Sequence, residues 1–151
     1  MSEHLTGEDA IHALPPATTR SLTARSVGYW ICTVLIALSF LSGGASDVLR
    51  SPQVIEGMAH LGYPAHFATF LGVWKILGAV AILVPGFPRL KEWAYAGMIF
   101  DLTGAAFAHA VVGDSDAWMS NRGHILAPLV LAALAVASWA LRPEGRKIKQ
   151  A

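Results

Sequence analysis

Lys75 and Asp101 each stand near the middle of a long apolar run, where a charge has least reason to be. Isolated in a membrane, an ionisable side chain at mid-depth costs from ~2.5 kcal/mol upward, so opposite charges at matched depth are expected to face each other. On helical spacing Lys75 shares a stripe with Leu71, Gly78, Ala79 and Ile82, and Asp101 shares one with Gly97, Gly104, Ala105 and Ala108. The small residues beside each charge predict close approach of the two helices and a Lys75–Asp101 contact. Such a pair is either an ion pair that fixes helix register or a polar site for a proton, a quinone or a small substrate. In the second case Lys75 orients a carbonyl or anionic oxygen and Asp101 or His109 handles a proton. Trp74 and Phe100, their neighbours in sequence, are then candidate aromatic walls of a ligand site.

Histidine supplies a weaker constellation. His109 follows Asp101 by eight residues, about two turns along nearly the same face, and is expected to line the same cavity as a third candidate catalytic residue. His60, His66 and His124 fall on the same side of the chain's apolar runs, with Asp47, Asp114 and Asp116. These residue types bind zinc, copper or iron, but none of the spacings is a recognised ligand motif, so no metal site is expected. The single cysteine, Cys32, excludes a CxxC redox pair and lies in an apolar run, where a lone cysteine usually packs as a small hydrophobe. There is no nucleophile elbow, phosphate loop or Rossmann glycine pattern.

The elements that must carry these residues are four apolar segments, at about Val27–Ser46, Phe67–Val84, Trp93–Val112 and Ile125–Leu141. Each is about 17–20 residues long, enough for a helix to cross ~30 Å of hydrocarbon. Turn formers divide them: Ser51-Pro52, Tyr63-Pro64, Pro85-Gly86-Phe87-Pro88 and Gly113-Asp114-Ser115-Asp116. Hydrophobic residues make up 54% of the 151 residues and charged residues 14%, too few charges to cover a small soluble domain. The sequence therefore predicts an all-α protein, a bundle of four transmembrane helices. A cleavable first segment and a buried soluble helical core are the alternatives. The polar stretch 1–26 reads as a flexible tail, 27–141 as the membrane domain and 142–151 as a basic tail.

Arg20, Arg25, Arg89, Lys91, Arg142, Arg146, Lys147 and Lys149 lie on one side of such a bundle, against Arg50 and Arg122 on the other. The positive-inside rule then puts both termini in the cytoplasm. No basic block suggests nucleic acid as a partner, which leaves the lipid bilayer, a small apolar ligand, a second copy or a redox partner protein.

At Trp74-Lys75-Ile76-Leu77-Gly78 with Ala81-Ile82-Leu83, and at Glu92-Trp93-Ala94-Tyr95-Ala96-Gly97 with Gly104-Ala105 and His109, the chain resembles the DoxX-like family of small bacterial membrane proteins. The resemblance covers about 27–141 and implies a four-helix protein of the bacterial inner membrane. The wider DoxX group includes subunits of thiosulfate:quinone oxidoreductase and partners of thiol-handling enzymes, while most DoxX-like members have no assigned activity. Lys75, Glu92 and His109 match its recurrent polar positions. Asp101 rests on the depth argument alone, and the missing cysteine pair speaks against direct thiol–disulfide chemistry. A redox-associated subunit that binds quinone or a small apolar substrate is the leading functional expectation. A non-catalytic scaffold for a partner and a small oligomeric transporter are the others.

The charge asymmetry makes orientation testable. A fluorescent reporter that matures only in the cytoplasm should light up when fused after Ala151, and a periplasm-only phosphatase inserted after Asp114 should be active. Exchange of the two results would reverse the orientation.

Overall fold

A computed structural model describes the backbone of residues 18–114 and 125–148 and the side chains from Ala24 onward within those ranges. The stretch before Thr18, and Asp116, Trp118, Arg122, His124 and Lys149, lie outside the described residues. The described chain forms five α-helices, with no strand among them: α1 Thr18–Val48, α2 Pro52–His60, α3 Ala65–Leu83, α4 Pro88–Val111 and α5 Leu126–Leu141. A short 3-10 turn, Glu144–Arg146, follows. Each apolar run of the sequence falls almost wholly within one of the four longer helices. Two differences stand out. Helix α1 begins at Thr18, inside the stretch read as a tail, and α2 occupies what reads as loop.

Local chemistry sets the helix ends. Pro52 and Pro88 open α2 and α4, where a missing N–H costs nothing and φ is already helical. Between α3 and α4 the chain reverses through Gly86 at φ 76° and Phe87 at φ 51°, and only the glycine adopts such a φ without strain. After α1 ends at Val48 the chain turns at Arg50, also left-handed at φ 51°, and the Ser51 N–H closes back onto the Ser46 carbonyl at 3.1 Å.

Helix α1 packs on α3 and α5, and α4 packs on α5 and α3, so the four long helices close a ring. Ile36, Phe40, Ile82, Tyr95, Met98 and Leu102 fill it, with Ala79 and Ala135 between them. A hydrogen-bonded chain crosses the interior: the Tyr95 hydroxyl donates to Ser138 at 2.7 Å, Ser138 to Thr33 at 2.7 Å, and Thr33 to the Tyr29 carbonyl at 2.7 Å. This order follows because Thr33 spends its one proton on the carbonyl. Large apolar side chains are meanwhile on the outside. Leu38, Trp74, Trp93, Phe100, Phe107 and Val111 are all 60% exposed or more. An apolar exterior of this extent marks a surface that meets lipid rather than water. Two helices, Ala24–Val48 and Ala65–Leu83, are long and apolar enough to cross a membrane, and α5 is apolar but shorter.

At the end holding the α3–α4 turn, Lys91 is wholly buried and its ammonium donates to the Ala81 carbonyl at 2.8 Å, to Ile82 at 3.3 Å and to Val84. These are the unsatisfied carbonyls at the negative end of α3. Arg146 adds bonds to the Ile82 carbonyl at 3.1 Å and the Tyr29 hydroxyl at 3.0 Å, with its guanidinium 4.7 Å from the centre of the Trp30 ring. The basic segment after α5 is thus folded against α1 and α3.

Helices α1 and α3 come close together at Gly44 and Gly72. A Cβ on Gly72 would lie 2.6 Å from the Gly44 carbonyl oxygen and 2.8 Å from the Asp47 Cβ, and neither atom can move without shifting α1. Gly72→Ala should therefore destabilise by about 1–3 kcal/mol. Gly43→Ala, whose Cβ would meet nothing within 4 Å, should not. Thermal unfolding in detergent separates them, and equal melting temperatures would remove this contact from the account.

Candidate functional site

Lys75 lies midway along α3, one turn beyond Gly72. Because the two glycines let α1 come so close, Asp47, the penultimate residue of α1, lies beside it. The Lys75 ammonium donates to Asp47 Oδ2 at 2.8 Å, and Asp101 Oδ2 from α4 lies 4.0 Å away on its other side. The Asp47 side chain is 8% exposed, those of Asp101 and Lys75 20% and 23%. The expected Lys75–Asp101 pairing is thus present at the edge of ion-pair range, but the hydrogen-bonded partner is Asp47, which the sequence placed only among the outer-side aspartates. Asp47 follows a Gly-Gly-Ala-Ser run that reads as the end of a segment. A helix carried two residues further puts it on the Lys75 face.

The expected role of the small residues changes too. Gly97 and Gly104 have open space where a Cβ would be, and Gly78 makes only an ordinary 3.5 Å contact with Met98. These positions do not draw α3 and α4 together. Gly78, Ala81, Ala94 and Gly97 line a cavity of about 620 Å³ between the two helices. Its walls are almost wholly apolar and include Phe40, Phe70, Trp74, Trp93 and Phe100, while Lys75 and Asp101 are its two ionisable groups. Trp74, Trp93 and Phe100 are also exposed on the outside of the ring, so the cavity opens sideways between α3 and α4. Phe70 meets Trp74 edge-on, with ring centres 6.3 Å apart.

His109 is not among the residues lining this cavity. The eight-residue spacing does put it on a similar face, but two turns take it towards the far end of α4. There its Nδ1 lies 2.6 Å from Asp114, and the second oxygen of that carboxylate meets His60 Nε2 at 2.9 Å. Asp114 so ties α2 to the end of α4. The two hydrogen bonds, His109's first, hold its carboxyl below the usual range. Among the described residues no group of three or more histidine, cysteine or acidic side chains is arranged so that it could hold a metal ion.

Glu92 has a structural explanation. Its carboxylate accepts from Arg142 Nη2 at 2.6 Å and from Trp139 Nε1 at 2.7 Å, clamping the start of α4 to the end of α5. The Arg142 guanidinium is buried, stacks 5.2 Å from the Tyr95 ring centre and leaves Nη1 without a hydrogen-bond acceptor. In the sequence Arg142 reads only as part of a basic tail. Its position directly after an apolar run was the available signal.

A family model described as the DoxX-like family matches residues 31–138, and the chain belongs to that family. It is also 34% identical over 77 residues to an uncharacterized protein of Bacillus subtilis (strain 168), YdgD, across 51% of this chain and 67% of that one. No solved structure matches.

Proposed function

We propose that this DoxX-like chain crosses the bacterial inner membrane four times, with both termini in the cytoplasm, and binds a small apolar molecule with one polar head between α3 and α4. The carrying observation is a cavity of about 620 Å³ whose apolar walls enclose two ionisable groups at mid-helix. Binding sites for small molecules have this composition: apolar walls supply most of the affinity and a few polar groups fix orientation. Four spans also account for the exposed apolar girdle on all the long helices and for the polar groups gathered at their ends. The sideways opening lets a ligand dissolved in the bilayer enter without crossing water. A redox-associated role with quinone is the form suggested by the family resemblance. On this reading the head lies at the end of the cavity that Lys75 and Asp101 line and Trp74 and Phe100 flank the body, while His109 and Glu92 support the helix ends.

The cavity can be filled without breaking the fold, because a Cβ at Gly97 meets nothing within 4 Å. Wild-type protein in detergent, titrated with a short-chain quinone analogue and with decanol, should show saturable quenching of tryptophan fluorescence by at least one of them. Gly97→Leu should keep its melting temperature and lose at least about tenfold in affinity, since its side chain occupies the space. Absence of saturable binding by wild type, or unchanged binding by a well-folded Gly97→Leu, would remove the cavity from the protein's function.

A further inference from the structure

The charges in and beside the cavity do not balance. Lys75 brings one positive charge, and Asp47 and Asp101 bring two negative ones. Asp47 is the nearer acid at 2.8 Å, hydrogen-bonded and all but buried, so it neutralises the ammonium. Asp101, at 4.0 Å, accepts no hydrogen bond from any described residue, and it lines the cavity. The other elements around it offer no relief. Helix α5, which packs on α4, carries no ionisable residue, and α3 brings only Lys75 to this level. A carboxylate in an apolar cavity whose nearest cation is already hydrogen-bonded to another acid holds a proton or takes a further cation. The aromatic walls decide which cation fits. Five rings, from Phe40, Phe70, Trp74, Trp93 and Phe100, line the same space, and aromatic faces attract a diffuse, weakly hydrated positive charge.

We propose that the cavity is a site for lipophilic cations, namely apolar molecules with a quaternary or protonated amine head, and that each cation bound displaces one proton from Asp101. Building on the cavity reading above, the proposal narrows its polar head to a positive one. It reverses the role that the sequence suggests for Lys75, whose charge is already answered by Asp47 and is not offered to an anionic head. The exchange is balanced: a neutral carboxylic acid and a free cation give a carboxylate–cation pair and a proton released to water. No electron moves and no covalent bond between heavy atoms changes. A head that is neutral binds less tightly, and an anionic head meets Asp101 with no uncompensated positive charge to hold it.

Tetraphenylphosphonium and tetraphenylborate have the same shape and opposite charge, and each is small enough for this cavity. Titrated against tryptophan fluorescence in a zwitterionic detergent, the phosphonium should bind at least about tenfold more tightly than the borate. Its affinity should fall as pH is lowered, by up to about tenfold per pH unit once Asp101 is protonated, and binding should release a proton into weakly buffered solution. Asp101→Asn, nearly the same size and uncharged, should keep its melting temperature and lose both the charge preference and the pH dependence. Equal binding of the two ions, tighter binding of the borate, or phosphonium binding that ignores pH and Asp101→Asn would overturn the proposal. If neither ion binds while decanol or the quinone analogue still does, the cation inference fails and the cavity reading stands. If no compound binds at all, both fail.

Discussion

An ammonium at the middle of an apolar helix must be answered by a carboxylate or give up its proton, and Lys75 sets that condition for this chain. The nearest answer comes from α1, not from the neighbouring helix in sequence. For Asp47 to come within 2.8 Å of Lys75 Nζ, the backbones of α1 and α3 must nearly touch, and Gly44 and Gly72 are what permits it. The rest of the ring follows from this contact. With α3 drawn onto α1, the small residues facing α4 cannot also close, and the space they leave is the cavity. One tight interface and one loose one are two consequences of the same placement of small residues.

The ends of the helices solve a different problem. Carbonyls at the end of α3 and the first turns of α4 carry polar groups that hydrocarbon cannot satisfy. Lys91, Arg142 and Arg146 supply donors there, with Glu92 as the matching acceptor. At the opposite end Asp114 receives both His60 and His109. Among the described residues the interior also carries a short polar chain, Tyr95–Ser138–Thr33, in which every hydroxyl has a partner. Two groups depart from this among the described residues: the buried Arg142 Nη1 has no acceptor, and Asp101, which lines the cavity, has Lys75 only at 4.0 Å and no hydrogen bond.

Helix positions were legible because a run of about twenty apolar residues between turn formers admits little else than a helix. Lys75 and Asp101 stood out for the same reason, and they do meet at the edge of the cavity that Trp74 and Phe100 help to line. What the sequence could not give is which small residues mark contact and which mark space. Gly72 and Gly97 look alike in a one-dimensional pattern, yet one touches a backbone and the other touches nothing. Asp47 was hidden by its position behind Gly-Gly-Ala-Ser, and His109 was misplaced because face was read without depth. Helix α2 escaped because nine residues beginning with proline and containing Gly57 give no run long enough to show a period.

The claim at the centre of this account is that Lys75 is neutralised by Asp47 and leaves Asp101 free for the cavity. Two double-mutant cycles on unfolding free energy in detergent, Lys75→Met with Asp47→Leu and Lys75→Met with Asp101→Leu, test it directly. The account predicts a coupling of about 2–3 kcal/mol for Lys75–Asp47, in the range for contacting residues, and about 0.5 kcal/mol or less for Lys75–Asp101. A larger coupling for Lys75–Asp101 than for Lys75–Asp47 would contradict it.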